Sequence, residues 1–358
     1  MNLKSLCLNI LGREQRLLEK SLERNFPFLK PSKMSIMVTS KCNSRCIYCD
    51  SWKMERASAP SAVNGPTVED INRLCAAAKK LGVQEVSLSG GEPLLRSDLE
   101  ELITLLSQEF KVLVTTNGML LSEERVARLA KSGLKNLILS LDSLDAETYQ
   151  QLRGIPFQHA EGALESLLYG KKNHPQLEIG VNCVVNRYNI GSLEEFSRKF
   201  FKKIPKVGRI SFLAYDRVRN GNHELLPTEE QYPVLRSDIA KLIAMKKEGF
   251  WIMNSEENLN AIPDYLYGKK TGEETRCGAG FFSVNIGDRM TLHPCLQLPA
   301  IADLKVENLT EVWFSGKMKA QREKMLKGQC PGCSCVFNKH NPFQVTISQI
   351  VKHFLLNR

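Results

Sequence analysis

Three cysteines, Cys42, Cys46 and Cys49, stand in C-x3-C-x2-C spacing within one short loop. Thiolates this close in sequence can converge on one metal centre, and iron–sulfur clusters are held by cysteine thiolates that normally number four. Here the local set stops at three. A [4Fe–4S] cluster held by three cysteines keeps one iron for an exogenous ligand, the open-position logic that separates catalytic from structural zinc sites. Structural zinc is the competing reading. It would need a fourth ligand, for which Asp50 and Glu55 are the nearest and poor candidates. Disulfides fit badly, because the eleven cysteines are an odd number and the N-terminus has no secretory pattern.

The flanking residues narrow the choice. Thr39-Ser40-Lys41-Cys42-Asn43-Ser44-Arg45-Cys46-Ile47-Tyr48-Cys49-Asp50-Ser51-Trp52 is followed by Gly90-Gly91-Glu92-Pro93. The pair of motifs resembles the radical S-adenosylmethionine (SAM) enzymes. That resemblance implies a [4Fe–4S] cluster on Cys42, Cys46 and Cys49, SAM as cofactor, and an electron donor such as flavodoxin or ferredoxin.

The elements that must carry these motifs follow from patterning. Apolar strand-like runs alternate with amphipathic helical stretches, the signature of βα units and a parallel sheet. Strands are predicted over 34–39, 85–89, 111–116, 135–141, 177–185 and 208–214, and helices near 67–81, 97–109, 122–132, 160–173, 192–203 and 228–248. Thr67, Ser97 and Ser122 are the predicted N-caps. The fold class expected is α/β, a partial (β/α)6 TIM-like barrel in the terms of the resemblance. Sites in such folds collect at the C-terminal ends of strands.

The unusual polar residues fall at those ends. Gly90 and Gly91 let backbone approach a ligand closely, and the Glu92 carboxylate can accept from an ammonium group. The resemblance gives these three the SAM amino group. Asn117 ends strand three in a pattern like the family's, although Asn117-Gly118 also suits a plain turn. Alternation puts Ser140 and Asp142 on one face of strand four, where the resemblance implies ribose contacts. By the same resemblance Tyr48 and Arg153 join the cofactor-binding set; a surface salt bridge is the bland reading for Arg153. Asn182 and Asn186 share a face of strand five, with Cys183 on the other as a core residue, the reading also given to Cys7 and Cys75. Residues Tyr215 to Gly221 form a polar cluster at the barrel mouth.

Cysteines return late in the chain as Cys277, Cys295, Cys330, Cys333 and Cys335. With Cys277-Gly278-Ala279-Gly280, His293-Pro294-Cys295, Asn308 to Trp313 and Cys330-Pro331-Gly332-Cys333, this stretch resembles the SPASM or twitch extensions that carry auxiliary iron–sulfur clusters. A full SPASM extension has seven cysteines, so five imply one auxiliary cluster, on Cys277, Cys295, Cys330 and Cys333 with Cys335 as a substitute. Zinc on the same thiols is the alternative. His293 reads as a neighbour of ligands rather than a ligand. The expected organisation is a basic amphipathic leader over 1–33, the barrel over 34–220, a helical bridge over 221–276, the cysteine-rich unit over 277–335 and a basic amphipathic tail over 336–358.

The net charge of +10 is concentrated at the ends: residues 1–33 carry seven Lys or Arg against three Glu, and 336–358 carry three against none. Such ends could lie on an anionic membrane surface or pack with a solvated basic face. Aromatics are not interleaved with them, so no nucleic acid is expected as partner. No apolar run approaches a membrane span, and the compartment expected is the cytoplasm, peripheral to the membrane if the ends bind it. The activity expected is reductive cleavage of SAM and hydrogen abstraction from a C–H bond of a lipid, small metabolite or peptide. The short leader leans away from peptides. Competing expectations are a non-catalytic iron–sulfur or zinc scaffold and radical modification of RNA.

Overall fold

The computed structural model describes residues 13, 16–50, 52–53, 65–204, 208–216, 222–268 and 277–330. The expectations for Cys7, Glu55, Cys333, Cys335, residues 217–221, most of residues 1–15 and the tail over 336–358 lie outside them.

Six parallel strands run in sequence order: β1 (Lys33–Thr39), β2 (Glu85–Gly90), β3 (Lys111–Thr116), β4 (Asn136–Ser140), β5 (Glu178–Val185) and β6 (Gly208–Ala214). The connecting helices are α1 (Val68–Leu81), α2 (Leu99–Ser107), α3 (Glu123–Lys131), α4 (Ala146–Arg153), α5 (Gln158–Asn173) and α6 (Leu193–Lys203), followed by α7 (Gln231–Glu248) and α8 (Glu256–Leu266). Among the described residues the sheet does not close: its order is β6-β5-β4-β3-β2-β1, and beyond β1 it continues into strands from the cysteine-rich stretch. This is the α/β fold expected from the alternating pattern, and its lack of closure agrees with the partial barrel that the resemblance implied.

Alternation builds two faces. Met34, Ile36, Val38, Val86, Leu88, Val112 and Val114 are buried in one core with α1 and α2 residues such as Ile71, Leu74, Leu102 and Ile103. At about 25 cal/mol per Å² of apolar area, that seam is the main stabilising term. The opposite face keeps small polar groups. Ser140, Asn182 and Ser211 lie side by side across β4, β5 and β6, and Ser35 pairs with Ser87. The N-terminal end of that face is closed by Arg209, which donates to Glu178 Oε2 (3.0 Å) and Asn136 Oδ1 (2.8 Å).

Helix starts follow capping chemistry, with one correction. Thr67 and Asp70 form a reciprocal capping box, and Ser122 Oγ accepts from Arg125 N, as predicted. Ser97 does not cap α2. The N-cap is Asp98, whose carboxylate is held by Arg96 (2.8 and 2.6 Å) and so makes no cap bond. Cys75 is also half-buried rather than enclosed, whereas Cys183 is fully buried as expected.

The cysteine-rich stretch continues the same sheet. β7 (Ser283–Ile286) pairs in parallel with β1, from Lys33↔Ser283 to Ile36↔Ile286. It then turns into β8 (Thr291–His293) and β9 (Ala302–Asp303), both antiparallel. The physical reason is the open edge of β1, whose unpaired backbone groups would otherwise lack partners. At the other edge, backbone at Ile252 bridges Ile210, and Asn254 accepts from Phe212 N (2.8 Å) and donates to Phe212 O (2.7 Å), so its side-chain amide extends that pairing along β6. Two short helices, α9 (Leu309–Phe314) and α10 (Gly316–Leu326), follow. No described helix is long and apolar enough to cross a membrane.

Candidate functional site

The cysteine loop leaves the C-terminal end of β1 and is moulded onto the end of α4. Arg45 N–H donates to Arg153 O (3.2 Å), Ile47 N–H to Leu152 O (3.1 Å), and Ser44 Oγ to Arg153 O (2.8 Å). Trp52 Nε1 closes the loop on Cys46 O (3.1 Å). Cys46 is buried, and Cys42 and Cys49 are half-buried. Burial, backed by the charges of Cys46, Glu92 and Cys49, pushes the Cys42 thiol up to about 11. A metal taking that sulfur must therefore displace a proton.

Two N–H groups point at the sulfurs: Asn117 Nδ2 lies 3.9 Å from Cys42 Sγ, and Arg153 Nη1 lies 4.0 Å from Cys46 Sγ. Donors aimed at sulfur suit thiolate ligands, so this donor set fits an iron–sulfur cluster. Among the described residues no three His, Cys, Asp or Glu side chains are gathered around a single ion. A cluster in which each cysteine binds a different iron does not require that.

Glu92 lies 1% exposed, and burial raises its pKa above the usual carboxylate range against the pull of its donors. It accepts from Leu94 N–H (3.0 Å) and Thr116 Oγ1 (2.7 Å) at one oxygen and from Asn117 N–H (2.6 Å) at the other. With about four acceptor positions on a carboxylate, one remains. Thr116, which the sequence reading passed over, is thus part of the site; its signal was its place before Asn117. Asn117 also donates to Asn43 Oδ1 (2.8 Å), tying the β3 end to the cysteine loop. Gly90 and Gly91 serve a close approach, but to backbone. A Cβ on Gly90 would meet Thr39 O at 2.3 Å, and one on Gly91 would meet Lys41 O at 2.0 Å. The turn is zipped to β1's exit by Gly91 N–H to Thr39 O and Glu92 N–H to Lys41 O, both 2.7 Å.

β4 ends at Ser140, and Asp142 lies beyond it with its carboxylate taken up by the protein. Tyr48 Oη donates to Oδ2 (2.5 Å), Val184 N–H donates to Oδ1 (2.7 Å), and Arg153 Nε lies 2.7 Å from Oδ2. That last contact is an ion pair off the N–H direction, since Nε makes no hydrogen bond. The guanidinium also stands 5.4 Å from the Tyr48 ring centroid. Burial drives the Tyr48 hydroxyl well above its ordinary range, so it stays a donor. Arg153 is a buried cation here and not a surface one. Beside it the Tyr149 hydroxyl, pushed up to about 12 by burial, is without a hydrogen-bond partner among the described residues. Ser140 is half-buried next to Asn182 at the mouth of the inner face. Asn186 is fully buried and serves the turn after β5, accepting from Tyr188 N–H (2.9 Å).

Of the later cysteines, Cys277, Cys295 and Cys330 are half-buried. The Cys277 turn is gripped by buried Arg322, whose Nε donates to Gly280 O (2.6 Å) while the guanidinium stacks 4.8 Å from Trp313. Both ring nitrogens of His293 are engaged, with Thr291 Oγ1 (3.0 Å) and Leu298 O (2.9 Å). At the mouth, Asp216 is met by Gln297 and Tyr265.

Residues 36–197 match the model of the Radical SAM superfamily. The chain is 33% identical over 184 residues to a probable GTP 3′,8-cyclase of Methanosarcina mazei, covering 49% of this chain and 53% of that protein. It thus spans about half the length of that relative. It is 26% identical over 327 residues to an AdoMet-dependent heme synthase of Methanosarcina barkeri, covering 83% and 86%. Solved structures share the fold. SuiB of Streptococcus suis bound to its precursor peptide matches with TM-score 0.63 at 20% identity over 85% of this chain and 69% of that one. The protein anSMEcpe with bound AdoMet matches with TM-score 0.63 at 16% identity over 91% of this chain and 97% of that one.

The raised pKa of Glu92 has a signed consequence. The folded state favours its protonated form, so its contribution to stability is fullest below the ordinary carboxylate range and is lost as pH rises through the raised value. In urea unfolding, the stability of wild type relative to Glu92→Gln is expected to fall across that window; a pH-independent difference would contradict the assignment.

Proposed function

We propose that this chain, whose residues 36–197 match the Radical SAM superfamily model, is an enzyme in which Cys42, Cys46 and Cys49 hold a [4Fe–4S] cluster and leave one iron to SAM. The observation that carries this reading is the three-thiol loop at the C-terminal end of β1, with Asn117 and Arg153 N–H groups directed at two of its sulfurs. When bound, the cluster and SAM together supply one electron, a cleaved carbon–sulfur bond and a 5′-deoxyadenosyl radical able to take hydrogen from a C–H bond.

The chain's own residues place and shield that chemistry. Gly90, Gly91 and Glu92 form the turn that takes the SAM amino group, and Asn117 fixes that turn against the cysteine loop. Ser140 stands at the ribose position. Tyr48, Asp142 and Arg153 complete the cofactor-binding set by forming its floor, since their polar atoms are largely spent on one another. The inner polar row of Ser140, Asn182 and Ser211 offers neutral hydrogen-bonding groups to whatever enters. The substrate is a lipid, small metabolite or peptide; the match over most of both chains to the heme synthase makes a small molecule the first class to assay.

Cys277, Cys295, Cys330 and Cys333, with Cys335 as substitute, are proposed to hold an auxiliary cluster within the cysteine-rich unit over 277–335. A flavodoxin or ferredoxin is the proposed electron donor. The basic ends are proposed to meet an anionic membrane surface; vesicle sedimentation unchanged by deletion of residues 1–30 would remove that part.

Anaerobic reconstitution with iron and sulfide should give about eight irons per chain, two four-iron clusters, and 5′-deoxyadenosine from SAM under a strong reductant. The Cys42/Cys46/Cys49→Ala variant should lose about four of those irons and all SAM cleavage. Cleavage surviving in that variant, or absent from cluster-loaded wild type, would overturn the reading. About four irons in an active wild type would remove the auxiliary cluster alone.

A further inference from the structure

Cys46 is the most enclosed of the loop thiols, at 8% exposure, and its sulfur has two polar neighbours. Ser44 Oγ lies 3.2 Å away and gives its own proton to Arg153 O (2.8 Å). In the free thiol, therefore, Cys46 is the donor in that contact. An iron-bound thiolate has no proton to give, and Ser44 would have to turn away from Arg153 O to serve it. Arg153 Nη1, at 4.0 Å, is the donor that needs no such change.

Arg153 is also held unusually firmly for an arginine. Its carbonyl takes Arg45 N–H and Ser44 Oγ, its Nε stands 2.7 Å from Asp142 Oδ2, and its plane lies over the Tyr48 ring. Main chain and side chain thus grip the same loop. Asp142 sits at the Nε position, while Nη1 is the atom that faces the sulfur. The cationic end of the pair is turned toward the ligand.

We propose that Arg153 is a positioning residue that sets the reduction potential of the loop cluster. Its fixed cation beside the Cys46 sulfur favours the reduced, more negative state and raises the midpoint potential. Charge and hydrogen bonding at ligand sulfurs are established levers on such potentials, and a buried site screens them little. The proposal rests on the loop holding a cluster, as proposed above.

The test is an EPR-monitored redox titration of the anaerobically reconstituted full chain without SAM. The loop cluster's signal is identified by its loss in Cys42/Cys46/Cys49→Ala. Arg153→Met should move the midpoint to a more negative potential, and Arg153→Lys, which keeps the charge without the fork, should restore most of the shift. Arg153→Met leaves Asp142 unpaired and could fail to fold. The double variant Arg153→Met/Asp142→Asn avoids that, and should shift in the same direction by less. Cluster-loaded Arg153→Met or the double variant at the wild-type potential would overturn the proposal and leave Arg153 a structural role. A wild type with no signal dependent on the three cysteines would instead overturn the cluster assignment beneath it.

Discussion

The buried carboxylate of Asp142 is the interaction on which the site depends. It joins three separate pieces of chain: Tyr48 from the cysteine loop, Val184 from β5 and Arg153 from the end of α4. Its backbone carbonyl adds a fourth by accepting from Asn189 Nδ2 (3.1 Å). An ion pair on the surface, such as Lys53 with Asp50, is worth about 0–1 kcal/mol. Removing one member of an enclosed pair costs about 3–5 kcal/mol, because the other charge is stranded. The loop that bears the thiols is therefore located by a constraint far stronger than its own short length could supply.

Glu92 does the complementary work on the opposite side. Its three accepted hydrogen bonds fix the start of the turn after Pro93 and the end of β3, and Asn117 passes that order to Asn43 in the cysteine loop. The two carboxylates thus hold the loop from β2–β3 on one flank and from β4–β5 on the other. β7, which lies between Cys277 and Cys295, joins the same sheet by pairing with β1, the strand that leads into the three loop cysteines.

The six parallel strands were legible in the sequence because Met34, Ile36 and Val38, and their equivalents in later strands, repeat at period two between clear turn residues. The cysteine spacing was legible because it is local. What escaped is non-local or ends a pattern. Four-residue β7 carries no signal that it will pair with a strand some 250 residues earlier. Ser97 looked like the cap of α2 because the ion pair that diverts Asp98 to that position depends on Arg96 folding back. Asp142 was read by extending the alternation of β4, but the strand stops at Ser140, so its side chain turns into the protein. Arg153 was assigned to the cofactor-binding set by resemblance, but its burial beside Cys46, 107 positions away, is non-local and left a surface salt bridge open as the bland reading.

On the proposed assignment, the cluster held by Cys42, Cys46 and Cys49 keeps one iron open for SAM. Adding SAM to the reduced, reconstituted protein and recording the EPR spectrum tests it directly. The loop cluster's signal should change shape and g-values on SAM addition, as the open iron takes a new ligand. An identical spectrum at saturating SAM would mean that this iron is not open to the cofactor, and would contradict the assignment.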